Sequence, residues 1–238
     1  MLKYQAIAES IRKKITEGVY KPDDQLPKSS DLEKTYQASK MTVKRALDEL
    51  EADGLIVKRR GNGTFVKGLA SNDLNQLIRH SRRQLFGMSK VYAGHKVTSK
   101  ILAFEIIEAP NDIKTRLRLD VESFVYHIVR VRYLDGTPFS FETSYMPIYR
   151  IPNLKRQDAE QSIFSYIRNK LHLQIQSSHR IVRVRGANEQ EAEELKVAPG
   201  SPVADVRETY FLANGVPFNY SITTHEPSHF ALETVLVS

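Results

Sequence analysis

The segment Leu26–Val66 constrains the fold of this 238-residue chain more than any other. It contains two patterns of helical spacing separated by a turn, and then two strand-like runs around a basic, glycine-rich tip. We expect the first of these two helices at Ser29–Tyr36, with Ser30 and Glu33 spaced as a capping box. Ser39 is expected to cap the next helix, whose apolar side has the period of a buried stripe. This stripe consists of Val43, Ala46, Leu47 and Leu50.

A predicted hairpin follows the second of these helices. Leu55–Val57 and Thr64–Val66 have the composition of strands, and Lys58–Gly63 between them combines three cations with two glycines. An amphipathic helix that starts near Tyr4 and ends at Gly18 is expected to precede both. Three helices followed by a basic hairpin predict a winged helix-turn-helix, which places its last helix in the major groove of DNA.

Charge is distributed unevenly along the chain. The net charge is +7, and residues 1–68 carry 14 Lys and Arg against 10 Asp and Glu. Such an excess favours a polyanionic partner. Lys40, Lys44 and Arg45 stand near the start of the third helix, where the helix dipole prefers anions. A bound phosphate would relieve this mismatch, and a solvated basic surface is the alternative.

Several classes of protein are disfavoured by composition. The chain has no cysteine, which excludes disulfides and thiolate metal sites. No run approaches 18 apolar residues, and the first residues form a charged amphipathic pattern, unlike a secretory signal. We therefore expect a cytoplasmic protein with neither a metal nor a cofactor.

From Val97 onward the pattern changes to hairpins joined by short helices, which predicts an antiparallel α+β sheet domain. We expect domain limits at 1–68 and 91–238, with a polar linker at 69–90. The expected strands are Val97–Glu108, Phe124–Leu134, Thr137–Met146, Ile175–Gly186, Val203–Leu212 and Val216–Thr224. The expected helices are Asp112–Leu119, Ser162–Leu171 and Glu189–Leu195.

Two arginines on one predicted strand mark a candidate binding site. Arg130 and Arg132 are two residues apart, so their side chains face the same side of the sheet. Their guanidinium groups repel each other unless an anion or a carboxylate lies between them. Glu142, on the other arm of the hairpin, is placed to reach that face. The three side chains predict a cradle for a polar or anionic ligand, or a self-satisfied salt-bridge cluster.

A long ordered set of positions between Tyr4 and Val66 matches a known pattern, including Leu26–Pro27, Met41–Val43, Arg45–Leu47, Gly54–Ile56 and Arg60–Val66. On these residues the segment resembles the DNA-binding domain of GntR-type bacterial transcription regulators. Lys40 and Lys44 stand where that family commonly has Arg. The resemblance implies DNA contacts from Lys28, Ser29, Ser39, Lys40, Thr42, Lys44, Arg45, Arg59, Arg60, Gly61 and Gly63.

The rest of the chain carries a second set of matches, at Ser99–Glu105, Arg130–Arg132, Glu142–Pro147, Ser162–Phe164 and Gly215–Ser221. On these it resembles the effector-sensing UTRA domain of the HutC-like branch. The resemblance implies a fold similar to chorismate lyase, with a ligand cleft and no catalysis. The implied effector-binding residues are Phe86, Gly87, Arg130, Arg132, Glu142, Ser162, Phe164, Asn219 and His225.

These features together predict a sequence-specific DNA-binding transcription regulator. We expect a homodimeric repressor on a near-palindromic operator, released or re-oriented by a small polar metabolite such as a sugar, a sugar phosphate or a similar acid. One alternative is a lyase or hydrolase domain tethered to DNA. Another is a constitutive DNA binder whose second domain only dimerises.

Overall fold

A computed structural model describes residues 2–67, 87–88, 92, 94–226, 228 and 230–232. The chain divides into two compact units, and each is described by itself. Apart from residues 87 and 88, the predicted linker at 69–90 lies outside the described residues, as does Phe86. Within the described ranges, no helix is both long and apolar enough to cross a membrane.

The described residues of the first unit form three helices and a two-stranded antiparallel hairpin, as predicted. Its core joins the apolar stripe of the third helix to that of the first, where Ile7, Ile11 and Ile15 are buried. The elements are α1 (Lys3–Thr16), α2 (Ser29–Tyr36), α3 (Lys40–Ala52), β1 (Ile56–Arg59) and β2 (Gly63–Val66).

The caps of α2 and α3 differ in how well the sequence predicted them. Ser39 caps α3 as expected, because its Oγ accepts a hydrogen bond from the backbone N–H of Thr42 at 3.3 Å. The capping box at Ser30 is wrong, because α2 begins at Ser29, as expected, and its N-cap is therefore Lys28. Lysine offers no side-chain acceptor, so no side chain caps α2. Gln37 adopts the left-handed conformation and turns the chain between the two helices.

The hairpin pairs Ile56 with Val66 at one end and Arg59 with Gly63 at the other. Gly63 has φ +116°, a conformation that favours glycine. A Cβ at this position would also lie 2.3 Å from Nε2 of Gln25, which donates a hydrogen bond to the carbonyl of Asn62. The backbone conformation therefore favours glycine beside the hairpin tip, and any larger residue would also displace the Gln25 amide from its hydrogen bond to Asn62.

The second unit is a six-stranded antiparallel sheet in the order β3-β4-β5-β8-β7-β6. Its strands are β3 (Val97–Glu108), β4 (Phe124–Leu134), β5 (Thr137–Pro147), β6 (Ile175–Gly186), β7 (Pro202–Leu212) and β8 (Pro217–His225). Its helices are α4 (Asn111–Leu117), α5 (Arg156–Gln161), α6 (Ile163–Asn169) and α7 (Glu189–Leu195). All the predicted strands are confirmed to within one or two residues, whereas α5 was not predicted.

Helices cover parts of both faces of this sheet. Ile163 and Ile167 of α6 pack with Ile128 of β4 on one face, which we call the front face. Successive residues of a strand point to opposite faces, so the predicted binding residues of β4 lie on the front face beyond Ile128. On the back face, α4 and α7 pack at separate places, through Leu117 and Leu195 respectively.

Leu50 of α3 is completely buried in the first unit. We expect Leu50→Ala to lower the free energy of unfolding of this unit by about 2–5 kcal/mol, because it removes buried methyl groups and leaves a cavity. Val19→Ala, at a residue that is 61% exposed in the same unit, should change it by at most about 0.5 kcal/mol. Urea unfolding of the full chain measures both, and equal changes would contradict this core.

Candidate functional site

The first turns of α3 present a cationic surface to solvent. Lys40, Lys44 and Arg45 are exposed. The Arg45 guanidinium lies over the ring of Tyr4, 4.1 Å from its centroid. This stacking holds the guanidinium at the surface without neutralising it. The described part of the chain contains no ion pair between Arg45 and an acid of α3.

The acids of α3 are neutralised by residues of other elements. Arg12 of α1 lies 3.8 Å from Glu49 of α3 and also donates to Asp53, the C-cap residue of α3, at 2.6 Å. Lys58 of β1 forms ion pairs with Asp48 and, at 2.8 Å, with Glu51. Burial alone would lower the pKa of Lys58, but its bonds to the two acids raise it above the ordinary value. The cations at the start of α3 therefore keep their charge free for a partner.

The hairpin adds further exposed cations. Arg59 stacks over the ring of Phe65 at 4.8 Å, while Arg60 and Gly61 at the tip are exposed. Every predicted DNA-contacting residue is exposed except Thr42, which is half-buried. Both groups of cations thus belong to one unit and remain accessible to a polyanion.

On the front face of the second unit, Arg130 and Glu142 stand directly opposite each other on β4 and β5. Nη2 of Arg130 donates to the two carboxylate oxygens at 2.8 and 3.0 Å, and Nε donates at 3.1 Å. Nη1 donates to the carbonyl of Ala159 in α5 at 2.8 Å. Burial alone would raise the pKa of Glu142, but Arg130, Arg132 and a hydrogen bond from Ser144 hold it below the ordinary value.

Arg132 is in a different position, although it shares this face with Arg130. It is 4% exposed, and its Nε has no hydrogen-bond partner in the described structure. Burial and the neighbouring Arg130 lower the pKa of Arg132 to about 9. Ser99 stands opposite Arg132 on β3, and its hydroxyl is also buried and without a partner among the described residues. The predicted pair therefore consists of Arg130, which has an internal carboxylate partner, and Arg132, whose Nε has no hydrogen-bond partner in the described structure.

His225 belongs to the same cross-strand row as Arg132. Ser140 of β5 stands opposite Arg132 on one side and opposite His225 on the other. The His225 ring lies between those of Phe139, at 5.6 Å, and Phe230, at 5.1 Å. The row therefore contains two predicted effector-binding residues, Arg132 and His225. It also contains two serines that the sequence analysis missed, Ser99 and Ser140.

Three other predicted effector residues lie toward the opposite end of the front face. Asn219 is six residues before His225 on β8, which corresponds to about 20 Å along a strand. Asn219 stands opposite Tyr210 of β7, and its Oδ1 is buried without a partner in the described structure. The ring of Phe164 meets that of Tyr210 at 5.0 Å, and Gly87 lies against Phe164. A small ligand cannot contact both ends at once.

Between the ends lies a buried cluster that the sequence analysis also missed. Glu208 of β7 accepts hydrogen bonds from Tyr210 at 2.6 Å and from Ser178 at 2.9 Å. It also forms an ion pair with Arg180 at 2.8 Å. Burial and the nearby carboxylate raise the pKa of the Tyr210 hydroxyl well above its ordinary value. The predicted Ser162 is also used internally, since its Oγ caps α6.

Comparison with known proteins assigns both units. Residues 3–66 match the family described as bacterial regulatory proteins, gntR family, and residues 92–231 match the UTRA domain. The chain belongs to the GntR family. This GntR-family protein is a transcriptional regulator and not an enzyme, so the predicted alternative of a tethered lyase or hydrolase is set aside. Its α+β architecture agrees with that assignment.

The similarity extends over nearly the whole length of several relatives. The chain is 32% identical to the HTH-type transcriptional regulator GmuR of Bacillus subtilis, covering 99% of this chain and 98% of the relative. It is 30% identical to the mannosyl-D-glycerate transport/metabolism system repressor MngR of Escherichia coli, covering 92% and 89%. The crystal structure of the possible transcriptional regulator YydK from B. subtilis superposes with a TM-score of 0.77 at 30% identity, covering both chains completely.

The two arginines should differ in their effect on stability in the absence of ligand. Arg130→Met removes the arginine that is hydrogen-bonded to the buried Glu142, so we expect it to lower the free energy of unfolding of the second unit by about 3–5 kcal/mol. Arg132→Met removes a buried charge whose Nε has no hydrogen-bond partner in the described structure and whose attraction to Glu142 is opposed by repulsion from Arg130, so we expect no loss or a gain. Urea unfolding compares the two variants. Equal losses would show that Arg132 also has an internal partner.

Proposed function

We propose that this protein is a homodimeric repressor that binds a specific operator through the first turns of α3 and the β1–β2 hairpin. The observation that supports this proposal is the internal neutralisation of the α3 acids, which leaves Lys40, Lys44 and Arg45 as free cations. In a winged helix-turn-helix this part of α3 enters the major groove. Arg45 can contact O6 and N7 of guanine with two hydrogen bonds, while each lysine acts as a point charge.

A homodimer would place two copies of α3 about 34 Å apart, on a near-palindromic operator. If each half-site engages about four phosphates, the dimer displaces counterions from roughly eight. The logarithm of the binding constant should then fall with the logarithm of salt concentration at a slope of about −7.

Charge reversal tests the DNA-binding surface. We expect Lys44→Glu combined with Arg45→Glu to weaken operator binding at least about 30-fold, because two contacts are lost and two repulsions are added. The matched control reverses Lys13 and Lys21, which are exposed on the same unit but lie outside the proposed surface. Fluorescence anisotropy with a labelled operator measures both. Equal losses in the two double variants would contradict a specific contact by α3.

We further propose that the UTRA domain binds a small polar anion, such as a sugar phosphate or an acidic sugar, with its anionic group at Arg132 and Ser99. The observation that supports this site is the buried guanidinium of Arg132, whose Nε has no hydrogen-bond partner in the described structure. An anion would supply that partner. The relative MngR represses a system for mannosyl-D-glycerate, which contains an acid. Arg130 and Glu142 would then form the fixed wall of the site.

Effector binding in this proposal lowers the affinity for the operator, and the linker at 69–90 connects the two units. The coupling is reciprocal by thermodynamic necessity, so the operator must weaken effector binding by the same factor. A typical coupling corresponds to a 5- to 150-fold change.

A panel of acidic sugars and sugar phosphates, titrated into the operator complex, tests this coupling. We expect one compound to release the operator, and Arg132→Met to abolish that release while operator affinity without ligand stays unchanged. Arg183→Met, an exposed arginine of β6, should keep the response. Operator affinity that is unaffected by every tightly bound compound would instead support a constitutive DNA binder.

A further inference from the structure

Met41 is an apolar side chain on a surface that is otherwise cationic. It is the second residue of α3 and is 70% exposed. Single exposed apolar residues are common and require no explanation by themselves. The position of Met41 is what distinguishes it, because Lys44 and Arg45 follow three and four residues later. Residues at these spacings share one side of a helix.

Met41 lies beside the start of α1. A groove with a volume of about 530 Å³ runs between the start of α1 and the first turns of α3. Leu2, Tyr4 and Met41 supply its apolar lining. Lys3, Lys44 and Arg45 supply its positive charge, and its one acid, Asp48, forms an ion pair with Lys58. Since Arg45 stacks on Tyr4, the guanidinium is held about one helical turn from Met41. The groove therefore presents one apolar contact beside a positioned arginine.

Duplex DNA matches this combination of groups. An apolar protein segment would have to desolvate the neighbouring cations, whereas phosphates neutralise them. In the major groove, the 5-methyl group of thymine is the apolar group on the base edges. Methionine is unbranched and flexible, so its side chain adapts to such a small apolar target.

We infer that Met41 reads a thymine by contacting its 5-methyl group in the major groove. The inference rests on the proposed DNA-binding function and adds a specificity determinant to it. Side chains four residues apart on a helix are about 6 Å apart at Cβ, and successive base pairs rise by about 3.4 Å. The thymine should therefore lie within about one or two base pairs of the guanine that Arg45 contacts.

Deoxyuridine, which lacks only the 5-methyl group of thymine, tests this contact. The operator is first selected from random duplexes with the full-length protein, and each thymine of a half-site is then replaced singly by deoxyuridine. At one thymine we expect about a fourfold loss of affinity per half-site for the wild-type protein, the effect of one buried methyl group. For Met41→Ala, the same replacement should have no effect.

Two further variants serve as controls. Met41→Leu keeps an apolar side chain and should keep the deoxyuridine effect. Val19→Ala removes another exposed apolar side chain of the same unit, away from α3, and should leave the effect unchanged. A selected operator at which wild type and Met41→Ala respond equally to every deoxyuridine would overturn the inference alone. Failure to select any operator would overturn the proposed function and the inference with it.

Discussion

Pairing of carboxylates within each unit determines which charges this protein presents to other molecules. In the first unit, Arg12 and Lys58 pair with acids in and just after α3, and the cations at the start of that helix form no ion pair among the described residues. In the second unit, Arg130 forms an ion pair with Glu142, whereas Arg132 forms none among the described residues. Because a buried or crowded charge is costly without a counterion, each remaining cation favours an anionic partner.

The cations of α3 and Arg132 differ in how far they are exposed to water. The cations of α3 are in water, where an unpaired charge costs little and salt screens it. Arg132 is almost fully buried, so its charge is costly until an anion arrives, as its lowered pKa indicates. A ligand at Arg132 would thus recover stability that the free protein lacks, whereas DNA at α3 would gain mainly from the release of counterions.

Local pattern was sufficient to predict most elements of the fold. The strands were found because alternation and turn residues, such as Asp135–Gly136, are local signals. Helix α5 was missed because it is only six residues long and buries a single side chain, Ala159, so it has no apolar period to detect. The cap of α2 was mispredicted because Ser30 and Glu33 have the spacing of a capping box, although the helix begins at Ser29, as expected, and its N-cap is therefore Lys28.

The sequence by itself determined the two-unit α+β plan, the cationic start of α3 and the shared face of Arg130 and Arg132, because each follows from periodicity within one segment. Only the tertiary structure decided which arginine forms the ion pair with Glu142, and that Ser99 stands opposite Arg132. It also decided that Asn219 and His225 lie at separate ends of the front face. These facts depend on the register between strands and on the packing of α5, which are set by contacts between residues far apart in the chain.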